Sequence, residues 1–383
     1  VTGRTGTNDR QAGAAPRGAP QDAERFFSPD YGVARERFRA ACLAAGAQLH
    51  VLPLDARGPS GESLTIDIAW LGEASAANVL LHSSGLHGVE AFAGSAVQLA
   101  CLAQPLALPQ HAAMVLVHVL NPWGMAWLRR VNENNVDLNR NFLAERDPRT
   151  GAHEIYRRLD TLLNPPSPPA FDWFYPRALW QALRLGFGPL KQAVAHGQYE
   201  FPRGLFFGGH RLEQGPRLYL DWLARHLARA RYVLALDVHT GLGRSGDETL
   251  LLEPGSATHP AVLGEALGRR LALPGHDADA AYAIRGGMGG MVARTLPEAA
   301  VDFLVQELGT YPPLVVFHAL REENRWHHHG DSGLDHPVKL RLREALCPAA
   351  RRWRARVVHR GLQRMSTALA WISERARQMR HGV

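Results

Sequence analysis

Cysteine is scarce in this chain of 383 residues: there are three, Cys42, Cys101 and Cys347, far apart and with no Cys-x-x-Cys pair. An odd and sparse set argues against a disulfide framework. Cys101 falls in an apolar helical stretch and reads as a core residue. Lysine is scarcer still; Lys191 and Lys339 are the only two, so the net charge of +7 is carried by arginine. That bias fits a GC-rich coding sequence at least as well as nucleic-acid binding. The arginines are scattered except for Arg351, Arg352, Arg354 and Arg356, which read as a solvated helix face. No base-stacking or DNA-reading motif accompanies them, so no nucleic-acid partner is expected. No run approaches the roughly 18 apolar residues of a membrane span, so no membrane partner is expected either. The first residues lack a basic start followed by an apolar core, and the expected location is the cytoplasm, with allowance for a missing start because residue 1 is Val1. No internal repeat is present.

What is there is an ordinary globular composition, 46% hydrophobic. Residues 1–22 hold almost no large apolar side chains and are expected to form a flexible tail, because they bury too little to offset ordering entropy. Residues 23–383 are expected to form a single domain. A helix is expected after Ser28-Pro29-Asp30, running to Ala45. Strands are expected at 64–70, 78–82, 114–120, 232–238, 249–252 and 300–307, with helices between them at 91–102, 218–230 and 261–271. Short apolar runs separated by helices predict an α/β fold with a mixed central sheet and helices on both faces. The stretch 145–215, with Asn164-Pro165-Pro166-Ser167-Pro168-Pro169 in it, reads as an insertion on the main sheet, part helix and part loop. Residues 350–380 read as one long helix, from Trp353, Val357, Leu362, Met365, Leu369 and Ile372 near helical spacing.

His87 and Glu90, in His-Gly-Val-Glu, follow the apolar run at 78–82. An imidazole and a carboxylate placed so, just past a buried strand, can face one point and suit a divalent metal. A third ligand should come from another strand end. His239 is the best candidate, since it closes the apolar run at 233–238 and precedes Thr240-Gly241-Leu242-Gly243. Asp237 is placed to accept a hydrogen bond from a ligand imidazole. Glu307 ends the apolar run Phe303-Leu304-Val305, where a carboxylate beside a metal can take a proton from water and return it to a leaving amine. Taken singly, each has a plainer reading: a satisfied histidine among 19, a solvated Glu90, a surface glutamate at a strand end. His82 and His118 read as core residues. His327-His328-His329 reads as an exposed loop with adventitious metal affinity, because neighbouring residues point in different directions.

The ordered set decides between these readings. His87-x-x-Glu90, Asn121-Pro122-x-Gly124, Arg129-Arg130, Asp137-Leu138-Asn139-Arg140-Asn141-Phe142, His239 and Glu307 follow one another in the order of the zinc carboxypeptidase family. Over about 80–310 the chain resembles that family, including its succinylglutamate desuccinylase and aspartoacylase branch. With Gly309-Thr310-Tyr311 after the glutamate, it looks most like a bacterial branch. The resemblance implies a zinc-carboxypeptidase-like fold and one Zn2+ per chain on His87, Glu90 and His239. It implies Glu307 as the general base and acid. It gives the substrate's carboxylate to Asn139 and Arg140, although Arg140 could instead pair with Asp137, which is read as holding the loop. It puts one of the two adjacent arginines on the developing oxyanion; Arg129 is favoured, with Arg130 facing solvent or helping to bind the carboxylate. Tyr282, before Gly286-Gly287-Met288-Gly289-Gly290, resembles loosely the tyrosine that closes over the substrate; packing at a strand end is the other reading.

The expected function is hydrolysis of an amide bond next to a free carboxylate. A carboxypeptidase acting on peptide C-termini comes first, and a deacylase of N-acyl amino acids is the alternative. A non-catalytic binding module would show a broken ligand or glutamate, and none is broken. An open groove at the 145–215 insertion would favour peptides, a closed pocket acyl amino acids.

Overall fold

The computed structural model describes residues 22–104, 108–273, 284–331 and 333–380, with the side chains of 378–380 excepted. The expected tail lies outside these residues except for Asp22. In chain order the elements begin α1 (Tyr31–Ala44), β1 (Gln48–Arg57), β2 (Ser63–Gly72), β3 (Asn78–Ser84), α2 (Ala91–Leu102), β4 (Ala112–His118) and α3 (Pro122–Ala126). Next come α4 (Glu154–Leu163), α5 (Phe174–Leu185), α6 (Phe187–Ala195), α7 (Gln214–His226), β5 (Tyr232–Thr240) and β6 (Glu248–Leu252). The last are α8 (Pro260–Ala266), α9 (Met288–Thr295), β7 (Ala300–Leu308), α10 (Pro313–His329), α11 (Pro337–Leu346) and α12 (Arg351–Arg380). None of the described helices is long and apolar enough to cross a membrane.

The seven strands form one mixed sheet in the order β1-β2-β4-β3-β5-β7-β6. The central four, β4, β3, β5 and β7, are parallel; β2 joins β4, and β6 joins β7, antiparallel. The central strands are buried on both faces, and side-chain alternation sorts them into two cores. Leu80, Met114, Leu116, Leu234, Leu236 and Leu304 point to one face, against Phe38 of α1, Phe92 and Val97 of α2, Leu263 of α8, and Val357 and Met365 of α12. Val79, Leu81, Val115, Val233, Val301 and Phe303 point to the other, against Tyr219 and Leu223 of α7 and Val292 of α9. A third apolar cluster joins α4 to α6 with α10 and α11.

Local sequence accounts for several helix starts. Asp30 accepts a hydrogen bond from the Val33 N–H, 2.8 Å, at the head of α1. Asn121 does the same for Gly124 at 2.8 Å, with Pro122 next to it at the first helical position of α3.

Two local expectations need correction. β1 went unrecognised in the sequence: Pro53 interrupts it, only Leu54 is buried, and it lies at the sheet edge on β2. The run His327-His328-His329 is not a loop but the last turn of α10, before Gly330. The stretch 145–215 holds α4, α5 and α6 with loops between them, and the proline-rich run 164–169 sits between α4 and α5. Leu80, fully buried at the centre of the sheet, tests the core directly. Leu80→Ala is expected to cost about 2–5 kcal/mol in urea unfolding through the cavity it leaves.

Candidate metal centre

The parallel strands β3, β5 and β7 end side by side, and the chemistry sits where they end. His239 and Glu307 are register partners on β5 and β7. His87 and Glu90 lie in the turn from β3 to α2. That turn rests on another loop: the N–H groups of Gly88 and Val89 donate to the carbonyls of Arg130, 3.1 Å, and Arg129, 3.0 Å. Gly88 is required by this contact, because a Cβ there would lie 2.0 Å from the carbonyl carbon of Gly124. Gly124 is crowded in turn, with Asn121 Nδ2 at 2.6 Å and the Val131 carbonyl at 2.7 Å from such a Cβ. The His-Gly-Val-Glu and Asn-Pro-x-Gly motifs are thus two halves of one tight loop contact.

His87, Glu90 and His239 offer ligand atoms that all lie within 4.8 Å of one another, and all three residues are buried. Each imidazole is held by an aspartate at its far nitrogen. His87 Nε2 lies 3.0 Å from Asp137 Oδ1, and His239 Nε2 lies 2.6 Å from Asp237 Oδ2. Asp237 is fixed by Ser83 Oγ, which donates to its Oδ1 at 2.6 Å. Both Nδ1 atoms therefore turn towards Glu90, at 2.9 Å for His87 and 3.4 Å for His239. His87 Nδ1 is buried and makes no hydrogen bond. An orphaned ring nitrogen beside a carboxylate, with the opposite nitrogen tied to an aspartate, is the donor set of a zinc site. The residues fit the ion.

The ligands open into a cavity of about 400 Å³ whose wall also includes Arg130, Asn139, Glu307 and Glu253. Glu307 Oε1 accepts from the Leu242 N–H at 2.8 Å, which fixes the carboxylate against the sheet edge. Arg130 reaches Glu90 Oε1 with Nη1 at 2.8 Å and Asp137 Oδ2 with Nε at 3.2 Å.

Residues 27–360 match the family described as "Protein of unknown function (DUF2817)". The chain belongs to this family. No curated protein matches it. Among solved structures, bovine thrombin-activatable fibrinolysis inhibitor in complex with tick carboxypeptidase inhibitor is similar at 10% identity and a TM-score of 0.50, over 92% of this chain and 99% of that one. Carboxypeptidase A from Helicoverpa armigera is similar at 16% identity and a TM-score of 0.43, over 82% and 73%. Murein-tripeptide amidase MpaA from Escherichia coli O157 is similar at 16% identity and a TM-score of 0.35, over 73% and 92%. At these identities the likeness is one of fold. This member of the DUF2817 family has the mixed-sheet α/β fold of the zinc carboxypeptidases, with a His-Glu-His cluster at the strand ends.

Two arginines stand elsewhere than expected. Arg129 is fully buried and lies away from the cavity wall. Its Nε donates to both Glu323 oxygens, at 2.9 and 3.1 Å, and its Nη2 to Asn135 and Asn324 at 3.0 Å. Glu323 also accepts from Lys339 Nζ at 2.6 Å. With Arg129 turned under the loop, it is Arg130 that reaches the cavity. Arg140 is fully buried too, and the cavity wall passes it by. Its Nε donates to the Ala195 carbonyl at 2.9 Å and its Nη1 to the Asn139 carbonyl at 2.9 Å, with Asp137 Oδ1 4.0 Å away. Asn139, by contrast, lines the cavity. Tyr282 lies outside the described residues.

Burial and charge set the protonation of the cluster. Burial pushes the Glu307 carboxyl up to about 7, with help from the charge of Glu90 and against the pull of His239. Burial alone would lower His239, but Asp237 and Glu90 outweigh it and hold the imidazole well above its ordinary value. Burial works against the Glu90 carboxylate, yet His87, His239 and Arg130 hold it below the usual carboxylate range. Asp137 is likewise held well below that range by Arg130, Arg140 and His87 despite its burial. Asp137 does more than hold the loop, since it also orients His87.

Glu253 went unnoticed in the sequence. It follows β6 and faces the cavity, where burial raises its carboxyl and the charges of His239 and Arg140 pull it back. The signal that found Glu307, a glutamate closing an apolar run, was present here also. Asp237→Asn keeps the size of the side chain but removes the charge that steadies His239. It is expected to weaken zinc binding about 10–100-fold in a competition titration with a chelator. Unchanged affinity would remove Asp237 from the support of the site.

Proposed function

We propose that this chain is a zinc-dependent hydrolase of amide bonds next to a free carboxylate, with peptide C-termini as the first substrate class. The observation that supports it best is the placement of Glu307. Its carboxylate stands on the strand beside His239, with one oxygen anchored by the Leu242 N–H, in the same cavity as all three candidate ligands.

His87, Glu90 and His239 would hold the ion. When bound, zinc supplies Lewis acidity towards water and the substrate carbonyl. Glu307 takes the proton from the attacking water, holds it, and passes it to the amide nitrogen as the C–N bond breaks. The water oxygen stays on the acyl carbon, and the amine leaves with the proton. Arg130 stands at the cavity wall beside Glu90, where a guanidinium stabilises charge that develops on the carbonyl oxygen. Asn139 donates its amide to the substrate's free carboxylate. Arg140, anchored on Ala195, holds the Asn139 backbone and adds positive charge behind the wall.

Glu307→Gln fills nearly the same space and cannot take a proton. It is expected to keep its zinc and lose about 10²–10⁴-fold in turnover of C-terminal peptides. Near wild-type turnover would mean that another group is the base. For Arg140 the informative quantity is the ratio of rates on a free-acid substrate and its C-terminal amide. Arg140→Ala removes a positive charge behind the wall and is expected to lower that ratio roughly severalfold, through lost charge–charge attraction and not through a lost hydrogen bond. A variant that loses activity on both alike, with the ratio intact, would assign Arg140 to the loop alone.

A further inference from the structure

We propose that the chamber walled by α4, α5, α6 and α10 receives a long apolar acyl chain, so that this enzyme acts on amino acids N-acylated with medium- or long-chain fatty acyl groups. The inference rests on the zinc-hydrolase reading above and goes beyond it on the acyl side of the substrate, where it puts a fatty acyl group in place of a peptide chain.

The cavity that holds the ligands does not end at them. It continues between the insertion helices and α10, where its wall is formed by such residues as Leu162, Ala178, Ala182, Leu190, Phe317 and Leu320. Apart from Gln181 of α5 and Lys191 of α6, the polar groups of the wall gather at the other end. Asn139, Glu253 and Ile284 line that side, and a Cβ on Gly287 would stand 3.7 Å from Asn139 Oδ1 while one on Gly289 would stand 2.8 Å from Glu253 Cγ. The passage between the two ends runs past Gly241. A Cβ there would lie 3.9 Å from Glu307 Oε1, 3.8 Å from Val316 Cγ1 and 3.3 Å from Leu346 Cδ2. The scissile carbonyl therefore sits at a boundary, with the carboxylate-bearing amine on the Asn139 side and the acyl group on the apolar side.

The nature of the wall selects the acyl group. A peptide main chain needs a hydrogen-bond partner for each buried N–H and C=O. The helices around the chamber use their own backbone groups internally and present mostly aliphatic and aromatic side chains to it, with Gln181 and Lys191 as the polar ones. A hydrocarbon chain asks for no such partners and gains roughly fourfold in affinity for each methylene removed from water. Hydrolysis then yields a fatty acid and a free amino acid. Water supplies the oxygen to the acyl carbon and the proton to the nitrogen, and no further reactant is needed.

The test compares zinc-loaded protein on N-acetyl-, N-octanoyl- and N-dodecanoyl-alanine, read by released amine, with calorimetric titration of dodecanoate as a separate binding readout. The expected result is a rise in kcat/KM of about a hundredfold or more from acetyl to dodecanoyl, and measurable binding of dodecanoate. Ala182→Trp narrows the chamber from α5, and it should lower the dodecanoyl-to-acetyl ratio about tenfold and weaken dodecanoate binding. Ala178→Trp, one turn earlier, serves if the first variant does not fold by circular dichroism. Hydrolysis with no dependence on chain length would overturn the acyl chamber and leave the hydrolase reading standing. Dodecanoate binding that the tryptophan variants weaken, with no hydrolysis of any peptide or acyl amino acid, would retain the chamber and sink the hydrolase. Absence of both dodecanoate binding and chain-length preference removes the proposal.

Discussion

Burying charge at the end of an apolar sheet is the constraint around which this molecule is built. His87, Glu90, Asp137, Asp237, His239 and Glu307 are all buried, and they adjoin strands that carry the apolar runs 79–81, 233–236 and 303–305. An ionised group in such surroundings is tolerated only when it is paired and hydrogen-bonded. The pairing observed is reciprocal. Each histidine lies between an aspartate and Glu90, Arg130 bridges Glu90 and Asp137, and the Thr240 N–H donates to the second Glu90 oxygen at 2.9 Å. Glu307 differs, because its one hydrogen bond is to the Leu242 backbone and burial leaves its carboxyl high. The group that must exchange a proton is thus the one least committed to an ion pair.

This network depends on loops that have little freedom of their own. The His87–Glu90 turn is fastened to Arg129 and Arg130 through the backbone, and Gly88 and Gly124 let the two loops meet closer than any side chain would permit. Beneath them, Arg129 is held in a fully buried ion-pair cluster with Glu323 and Lys339, which ties the loop to α10 and α11. Removing one member of such a cluster strands the others, so its function is to fix position. Arg129 and Arg130 accordingly divide the work: one anchors the loop from below, the other presents its charge at the cavity.

The segment 145–215 walls the cavity that holds the candidate ligands. Its helices bury Tyr156, Leu162, Phe174 and Val194 against Val316 and Leu320 of α10, and so form an apolar cluster apart from the two sheet cores. The sheet is that of the zinc-carboxypeptidase fold, and the His-Glu-His cluster lies where its parallel strands end. The 145–215 segment lines the approach to those strand ends.

The sequence by itself determined the sheet's central strands and brought forward the candidate ligands. A continuous apolar run can be a buried strand, and a strand-end His or Glu is aimed by the strand that precedes it. That local signal put His87, Glu90, His239 and Glu307 at strand ends, but only their order along the chain, which resembles that of the zinc carboxypeptidases, singled them out; the long helix α12 was legible from its regular apolar spacing. Tertiary structure decided the rest. Nothing local distinguishes Arg129 from Arg130, because the choice depends on Glu323 and Lys339, about 200 residues further along the chain. The direction of Arg140 is set by the Ala195 carbonyl at the end of α6, and β1 is a strand only because β2 lies beside it. A residue's type and its immediate neighbours fix what it can do chemically; what it faces is fixed by packing between segments that the sequence keeps far apart.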